Sequence, residues 1–96
     1  MKLHAVKPSP KADKKWRAVF IENGKKTHTD FGAKGYLDYT LPPHDKEQRH
    51  RYRERHEKDL RTGNPTKAGF LSFYLLWGDH TSLRKNIRDY KNMFGL

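Results

Sequence analysis

The apolar positions change period along the chain. Trp16, Ala18 and Phe20 alternate with Arg17, Val19 and Ile21, and this β-branched and aromatic run predicts a strand. Asn23-Gly24 follows, and both central residues of a type I′ turn need positive φ, so a hairpin is predicted with a return strand over Lys25 to Phe31. A two-residue turn fixes the register: Glu22 faces Lys25, Arg17 faces Asp30 and Trp16 faces Phe31. Two opposite-charge pairs and one aromatic pair result, the matches that stabilise a hairpin. Thr27 and Thr29 then share the face of Trp16, Ala18 and Phe20, which is expected to pack on helices. Leu3 to Val6 is a candidate short strand that would extend the hairpin to a three-stranded meander. Pro8 and Pro10 then interrupt regular structure.

Beyond Pro42-Pro43 the period becomes helical. Asp45 with Gln48 three residues on is a capping-box pattern, Glu47/Arg51, Glu54/Lys58 and Glu57/Arg61 are supporting i,i+4 pairs, and Gly63 is a stop. The first helix is expected over about 46–61. It is charged on nearly every side. Only Tyr52, His56 and Leu60 make an apolar-leaning stripe, so a narrow seam should touch the core while Arg49, Arg51, Arg53, Arg55 and Lys58 face elsewhere. Asn64-Pro65 reads as an N-cap and first-turn proline for a second helix over about 66–77. Phe70, Leu71, Phe73, Tyr74, Leu75, Leu76 and Trp77 surround that helix, which places it at the centre of the fold; Gly78 ends it. Thr81 or Ser82 caps a third helix over about 82–94, with Leu83, Ile87, Tyr90 and Phe94 in one stripe and Gly95 closing it. The expected fold is a small single α+β domain: an N-terminal β-hairpin or three-stranded meander followed by three helices. Residues 1–15 read as a basic, proline-containing segment and 16–96 as the domain proper.

Composition sharpens this picture. Apolar residues are 33% of the 96, low for a globular domain, and the two Trp, five Tyr and five Phe are needed to complete its core. Twenty-one Lys and Arg against 11 Asp and Glu give a formal net charge of +10, which favours phosphates, acidic protein surfaces or anionic lipid. There is no cysteine, which excludes disulfides, thiolate catalysis and cysteine zinc sites. Met1 to Pro8 lacks the apolar run of a signal peptide. The longest apolar run, Phe70 to Trp77, is interrupted by Ser72 and is far short of the ~20 residues that span a bilayer. A soluble intracellular protein is expected. Phe31-Gly32-Ala33-Lys34-Gly35-Tyr36 lacks the Gly-Lys-Ser/Thr ending of a phosphate loop and reads as a bend leaving the hairpin.

The candidate phosphate contacts are Lys14, Lys15, Lys25 and Lys26 around the hairpin, Arg49, Arg53 and Arg55 on the first helix, and Arg84 and Arg88 on the third. Tyr36 and Tyr39 are candidates to stack on bases, whereas Trp16 belongs to the core. Against this, Glu47, Glu54 and Glu57 can pair the first helix's arginines internally. His50 and His56 lie on different helix faces, and His28, His44 and His80 follow no metal spacing, so neither metal nor cofactor is expected. His56 belongs in the seam with Tyr52 and Leu60. Its chemical alternative is a general base beside Arg55 and Tyr52, with Asp59 as a loosely placed acid.

One resemblance bears on function. Phe31-Gly32-Ala33 with Gly35-Tyr36, Asp38-Tyr39-Thr40, Arg49, Tyr52 and Arg55-His56 carry it. Asn64-Pro65-Thr66, Ala68-Gly69-Phe70, Leu76-Trp77, Leu83, Ile87, Asp89-Tyr90-Lys91 and Phe94 continue it. Together they resemble a family of small basic proteins of unknown function found in large double-stranded DNA viruses of algae and amoebae and in some protists. The similarity runs from Phe31 to Phe94, leaving out the segment before Trp16 and the Leu41-Pro42-Pro43 entry to the first helix. It implies a viral or protist origin and a place in a virion, and it brings no activity and no catalytic residues. The leading expectation is therefore a non-enzymatic, largely sequence-independent nucleic-acid-binding protein, viral genome- or virion-associated, with DNA or RNA as partner. The alternative is a minor virion protein that meets acidic protein surfaces or capsid proteins. A small His-dependent nuclease or hydrolase ranks last.

Overall fold

A computed structural model describes residues 1–96. Strands β1 (Lys2–Pro8), β2 (Lys14–Glu22) and β3 (Lys25–Ala33) form an antiparallel sheet in the order β1-β2-β3. The hairpin has the register read from the sequence, with Glu22 opposite Lys25, Arg17 opposite Asp30 and Trp16 opposite Phe31. Asn23 and Gly24 turn it with φ of 53° and 77°. β1 is longer than the expected 3–6 and pairs with β2 from Lys2/Ile21 to Pro8/Trp16. Between Leu3 and Ala5 the pairing slips by one residue, leaving His4 without a partner. The slip keeps Leu3, opposite Phe20, and Val6, opposite Ala18, on the same face despite their odd spacing. Leu3, Ala18, Phe20 and Phe31 on that inner face are buried.

On the outer face one ion pair is tightly built. Asp30 accepts from Arg17 Nε at 2.9 Å and Nη2 at 3.1 Å, and from Ser9 Oγ at 2.9 Å. Lys11 Nζ stands 3.7 Å away. The bidentate Arg17 bonds hold the Asp30 carboxyl well below the usual carboxylate range, against the opposing effect of burial.

Asp45 caps the first helix, α1 (Lys46–His56), its Oδ1 accepting from the backbone of Glu47 at 2.9 Å and Gln48 at 3.2 Å. The expected α-helix over 46–61 stops at His56 and tightens into a 3₁₀ helix (Glu57–Thr62) closed by Gly63 at φ 62°. Tighter winding lays Asp59 against Gly69, where a Cβ would meet the Asp59 Cβ at 2.9 Å. Of the three expected i,i+4 pairs, Glu47–Arg51 forms at 3.8 Å and Glu54 takes His50 at 2.9 Å instead of Lys58.

The second helix starts later than expected and changes type. It is α-helical only over Ala68–Leu71 (α2) and continues as a π-helix through Ser72–Leu76. Asn64-Pro65 does not open it, because neighbouring carbonyls are drawn elsewhere. The Tyr90 hydroxyl donates to the Pro65 carbonyl, and the Thr29 hydroxyl donates to that of Thr66 at 2.7 Å. Asn64 Oδ1 instead accepts from the Thr66 backbone at 2.9 Å, closing a local turn. The central position is as expected: Phe70, Leu71, Phe73, Leu75, Leu76 and Trp77 are all buried. Gly78 follows because nothing larger fits, since a Cβ there would overlap the Tyr74 carbonyl oxygen.

Ser82 caps α3 (Leu83–Phe94) by accepting from the Lys85 backbone at 3.3 Å, and Gly95 ends it at φ 65°. Phe70, Tyr74, Tyr90 and Phe94 pack as one aromatic cluster, with Tyr90 and Phe94 edge to face at 4.8 Å. No helix is long and apolar enough to cross a membrane.

Two stability measurements test these features. Gly78→Ala should lower unfolding free energy by about 3 kcal/mol, because the backbone must move to admit the methyl group. Equilibrium denaturation reads this, and a loss near zero would refute the close approach. Asp30→Asn should lower the melting temperature at neutral pH. Asp30's folded pKa is depressed, so its contribution is present above the unfolded value and is lost as pH falls. The gap from wild type should therefore be full above about pH 4 and narrow progressively as pH falls below it in a pH series of thermal melts.

Candidate functional site

The seam expected from Tyr52, His56 and Leu60 meets the core through Tyr52 and Leu60, and it is wider than the sequence pattern indicates. Arg49, Tyr52 and Arg53, at i, i+3 and i+4, meet the end of the central helix, and His56, at i+7, stacks behind Tyr52. Arg49 Nε donates to the Gly78 carbonyl at 2.6 Å, its Nη2 meets Asp79 Oδ1 at 2.9 Å, and its guanidinium lies over the Tyr39 ring. Arg53 Nη1 donates to the carbonyls of Trp77 at 2.8 Å and Phe73 at 3.3 Å, and its guanidinium stacks 4.1 Å from the Phe73 ring centre. Burial, with the neighbouring Arg49 charge, lowers the Arg53 pKa from its ordinary value. Arginine suits this role because one planar group can donate to two carbonyls and still stack. The i, i+4 spacing of the two arginines was legible. The carbonyls that they serve were not, because those depend on the π-helical turn.

Lys15 is drawn inward too. Its Nζ donates to Asp38 Oδ2 at 2.6 Å and to the Tyr36 carbonyl, and Asp38 Oδ1 accepts from the Thr40 backbone at 2.8 Å. Asp38 is buried, and so is Tyr39, whose N–H reaches the Leu76 carbonyl at 3.0 Å. Of the candidate phosphate and base contacts, Lys15, Arg49, Arg53 and Tyr39 thus have internal partners that fix the fold.

The remaining candidates fall into three places. Lys25 and Lys26 are exposed at the hairpin tip, with Lys14 half-buried at the other end of β2. Arg84 and Arg88 flank Lys85 and Ser82 around one shallow hollow at the start of α3. Tyr36 and Arg55 border a cleft of about 340 Å³ between the sheet's end, the 36–38 loop and α1. Its wall includes a column of stacked rings. Tyr52 lies 4.5 Å from Trp77 at 11° and 4.1 Å from His56 at 21°. Burial, with the nearby Asp59 charge, pushes the Tyr52 hydroxyl up to about 12. His56 Nδ1 hydrogen-bonds Asp59 Oδ2 at 2.9 Å, leaving Nε2 as its second polar atom. Asp59 is therefore a firm partner of His56, and its i, i+3 spacing was visible in the sequence. No three His, Asp or Glu side chains gather as metal ligands.

A second surface emerges from the strand register. Positions on one face alternate along a strand and align across it. Opposite the buried face stand three rows: Lys2, Ile21 and Lys26; Ala5, Val19 and His28; Lys7, Arg17 and Asp30. Lys2, Lys7, Lys26 and His28 are exposed, and no helix covers them. Lys2 and Lys7 lie outside the expected contacts, because the sequence pattern marks only a short strand over Leu3 to Val6 and gives it no register.

Fold and surface together define a small basic α+β domain whose antiparallel sheet is open on one side. Residues 5–56 match the family described as "Family of unknown function (DUF5754)", and the chain belongs to that family. The matched segment takes in most of β1 and ends with α1, whereas the resemblance read from the sequence ran from Phe31 to Phe94. The two overlap over 31–56. All of the cleft's lining residues except Ser72, Leu76 and Trp77 lie in the matched segment. No curated protein and no solved structure matches the chain.

The arginine ties make a direct prediction. Arg53→Ala strands two carbonyls at a buried helix end and should destabilise the domain by about 2 kcal/mol. Urea denaturation checks it, and an unchanged midpoint would show that the Arg53 contacts do not hold α1 in place.

Proposed function

We propose that this is a non-enzymatic, largely sequence-independent nucleic-acid-binding protein whose main contact is the outer face of the sheet. One observation carries the reading. In the three rows of that face, Lys2, Lys7, Arg17 and Lys26 stand against a single carboxylate, Asp30, which Arg17 and Ser9 already occupy. Val19 and Ile21 run between these cations and are only half-buried. Such a face attracts phosphates at regular spacing and contains little that would read a base edge. Lys25 at the tip, and Arg84, Lys85 and Arg88 at the start of α3, add cations elsewhere on the surface. DNA and RNA backbones both satisfy this chemistry. The viral setting implied by the sequence resemblance belongs to the same proposal and makes a packaged genome the natural partner.

The test is binding to duplex DNA, single-stranded DNA and structured RNA across a salt series. Affinity should fall along a steep log–log slope. Each phosphate contact accounts for about 0.9 of that slope on duplex DNA, so the triple variant Lys2→Gln, Lys7→Gln, Lys26→Gln should flatten it by up to ~2.7. An unchanged slope in the variant would move the contact off the sheet. No binding at low salt would overturn the reading in favour of a protein that docks on acidic capsid or other protein surfaces.

A further inference from the structure

We infer that the cleft between α1 and the 36–38 loop binds one nucleotide, its phosphate on Arg55 and its base against Tyr36. The inference deepens the nucleic-acid reading and rests on it for the choice of a nucleotide over other aromatic anions. Size is the first support. The cleft's roughly 340 Å³ lies at the small end of the range for ligand pockets, about 300–1,000 Å³.

Charge is the second. Lys15 is neutralised by Asp38 at 2.6 Å, and Asp59 is held by His56 at 2.9 Å. Arg55 is exposed and free of the ion pairs that hold Arg17, Arg49 and Arg51. It is thus the one full charge on the cleft wall without a counter-ion, and its planar donors suit a phosphate.

Shape and polarity are the third. Tyr36 is 72% exposed and Leu37 50% exposed at the cleft's rim, although both belong to a loop anchored on its far side by buried Asp38 and Tyr39. A fixed loop that keeps an aromatic ring in water offers a stacking surface, which any base can use. Across the cleft, the Gln48 amide supplies a donor and an acceptor for a base edge. His56 adds Nε2, oriented by the Asp59 bond to its other nitrogen. The ring column behind it, Trp77 on Tyr52 on His56, makes this wall stiff.

The same nucleotide chemistry can come from a free mononucleotide or from the phosphorylated end of a strand. The experiment therefore titrates the full-length protein with the four ribonucleoside monophosphates and with a 5′-phosphorylated and a 5′-hydroxyl trinucleotide. The readout is the NMR signals of the Arg55 Nε–H, the Gln48 amide and the His56 ring. Saturable shifts of these groups are expected, with affinity at least about tenfold weaker in Arg55→Gln, as for loss of a charged hydrogen bond. Arg55 is exposed, so this variant should fold; Tyr36→Ala is the second variant and should also weaken binding. Preference for the 5′-phosphorylated trinucleotide over monophosphates would assign the cleft to strand ends, and the converse to free nucleotides. No saturable shift with any ligand, or equal affinity in Arg55→Gln, would overturn the inference. Binding of long nucleic acid at low salt, with these cleft signals silent, would leave the sheet reading standing and remove this one alone. Cleft binding without any binding of long nucleic acid would do the reverse.

Discussion

Carbonyl oxygens at the end of the central helix need hydrogen bonds that the helix cannot supply. The π-helical turn widens the ring of backbone bonds, so the Trp77 N–H reaches back to Ser72 at 3.1 Å. The carbonyls of Phe73, Leu75, Leu76, Trp77 and Gly78 accept from groups brought by other segments. Arg53 and Arg49 come from α1, the Tyr39 N–H from the loop after β3, and the Asn86 amide from α3, where it also bonds the His80 carbonyl. Three segments distant in sequence are thereby tied to one helix end. An unpaired buried carbonyl is costly, so each tie matters more than its net strength suggests.

This arrangement changes the meaning of the chain's basicity. A net charge of +10 invites a single explanation, yet the cations divide into two populations. Lys15, Arg17, Arg49 and Arg53 hold loops, strands and helices by donating to named acceptors. Lys2, Lys7, Lys25, Lys26, Arg55, Arg84, Lys85 and Arg88 leave at least part of their charge to solvent. Total charge therefore overstates the surface available to a polyanion. The distribution, with one sheet face open and one cleft holding an unpaired arginine, is the informative quantity.

Legibility in the sequence followed the range of the interactions involved. Asn23-Gly24 sets the hairpin register locally, so Glu22/Lys25, Arg17/Asp30 and Trp16/Phe31 could be read in advance. Asp45 is a local cap and was equally plain, while for the third helix the choice lay between Thr81 and Ser82, and Ser82 is the cap. The second helix was readable as central because seven apolar residues surround it. Its start and its π character were not, because Tyr90 and Thr29 draw away the carbonyls near Asn64-Pro65 from far along the chain. For the same reason, Arg49 and Arg53 read as free surface cations: their spacing was visible, but their acceptors arise only from the tertiary fold. The cleft needed the loop anchored by Lys15 and Asp38, a contact spanning 23 residues.

The family match ends at His56, a member of the ring column, while Trp77, Gly78 and the other acceptors of α1 lie beyond it. The boundary of the recognisable segment is thus not a folding boundary. Residues 5–56 alone would carry the inner sheet face without Leu71, Leu75 and Leu76 in the shared core, and two arginines without their carbonyls. In modular terms, the portable unit is the whole sheet-and-helix assembly. A relative that keeps the matched half with a different second half must rebuild an acceptor-rich helix end, or give up the arginine pair.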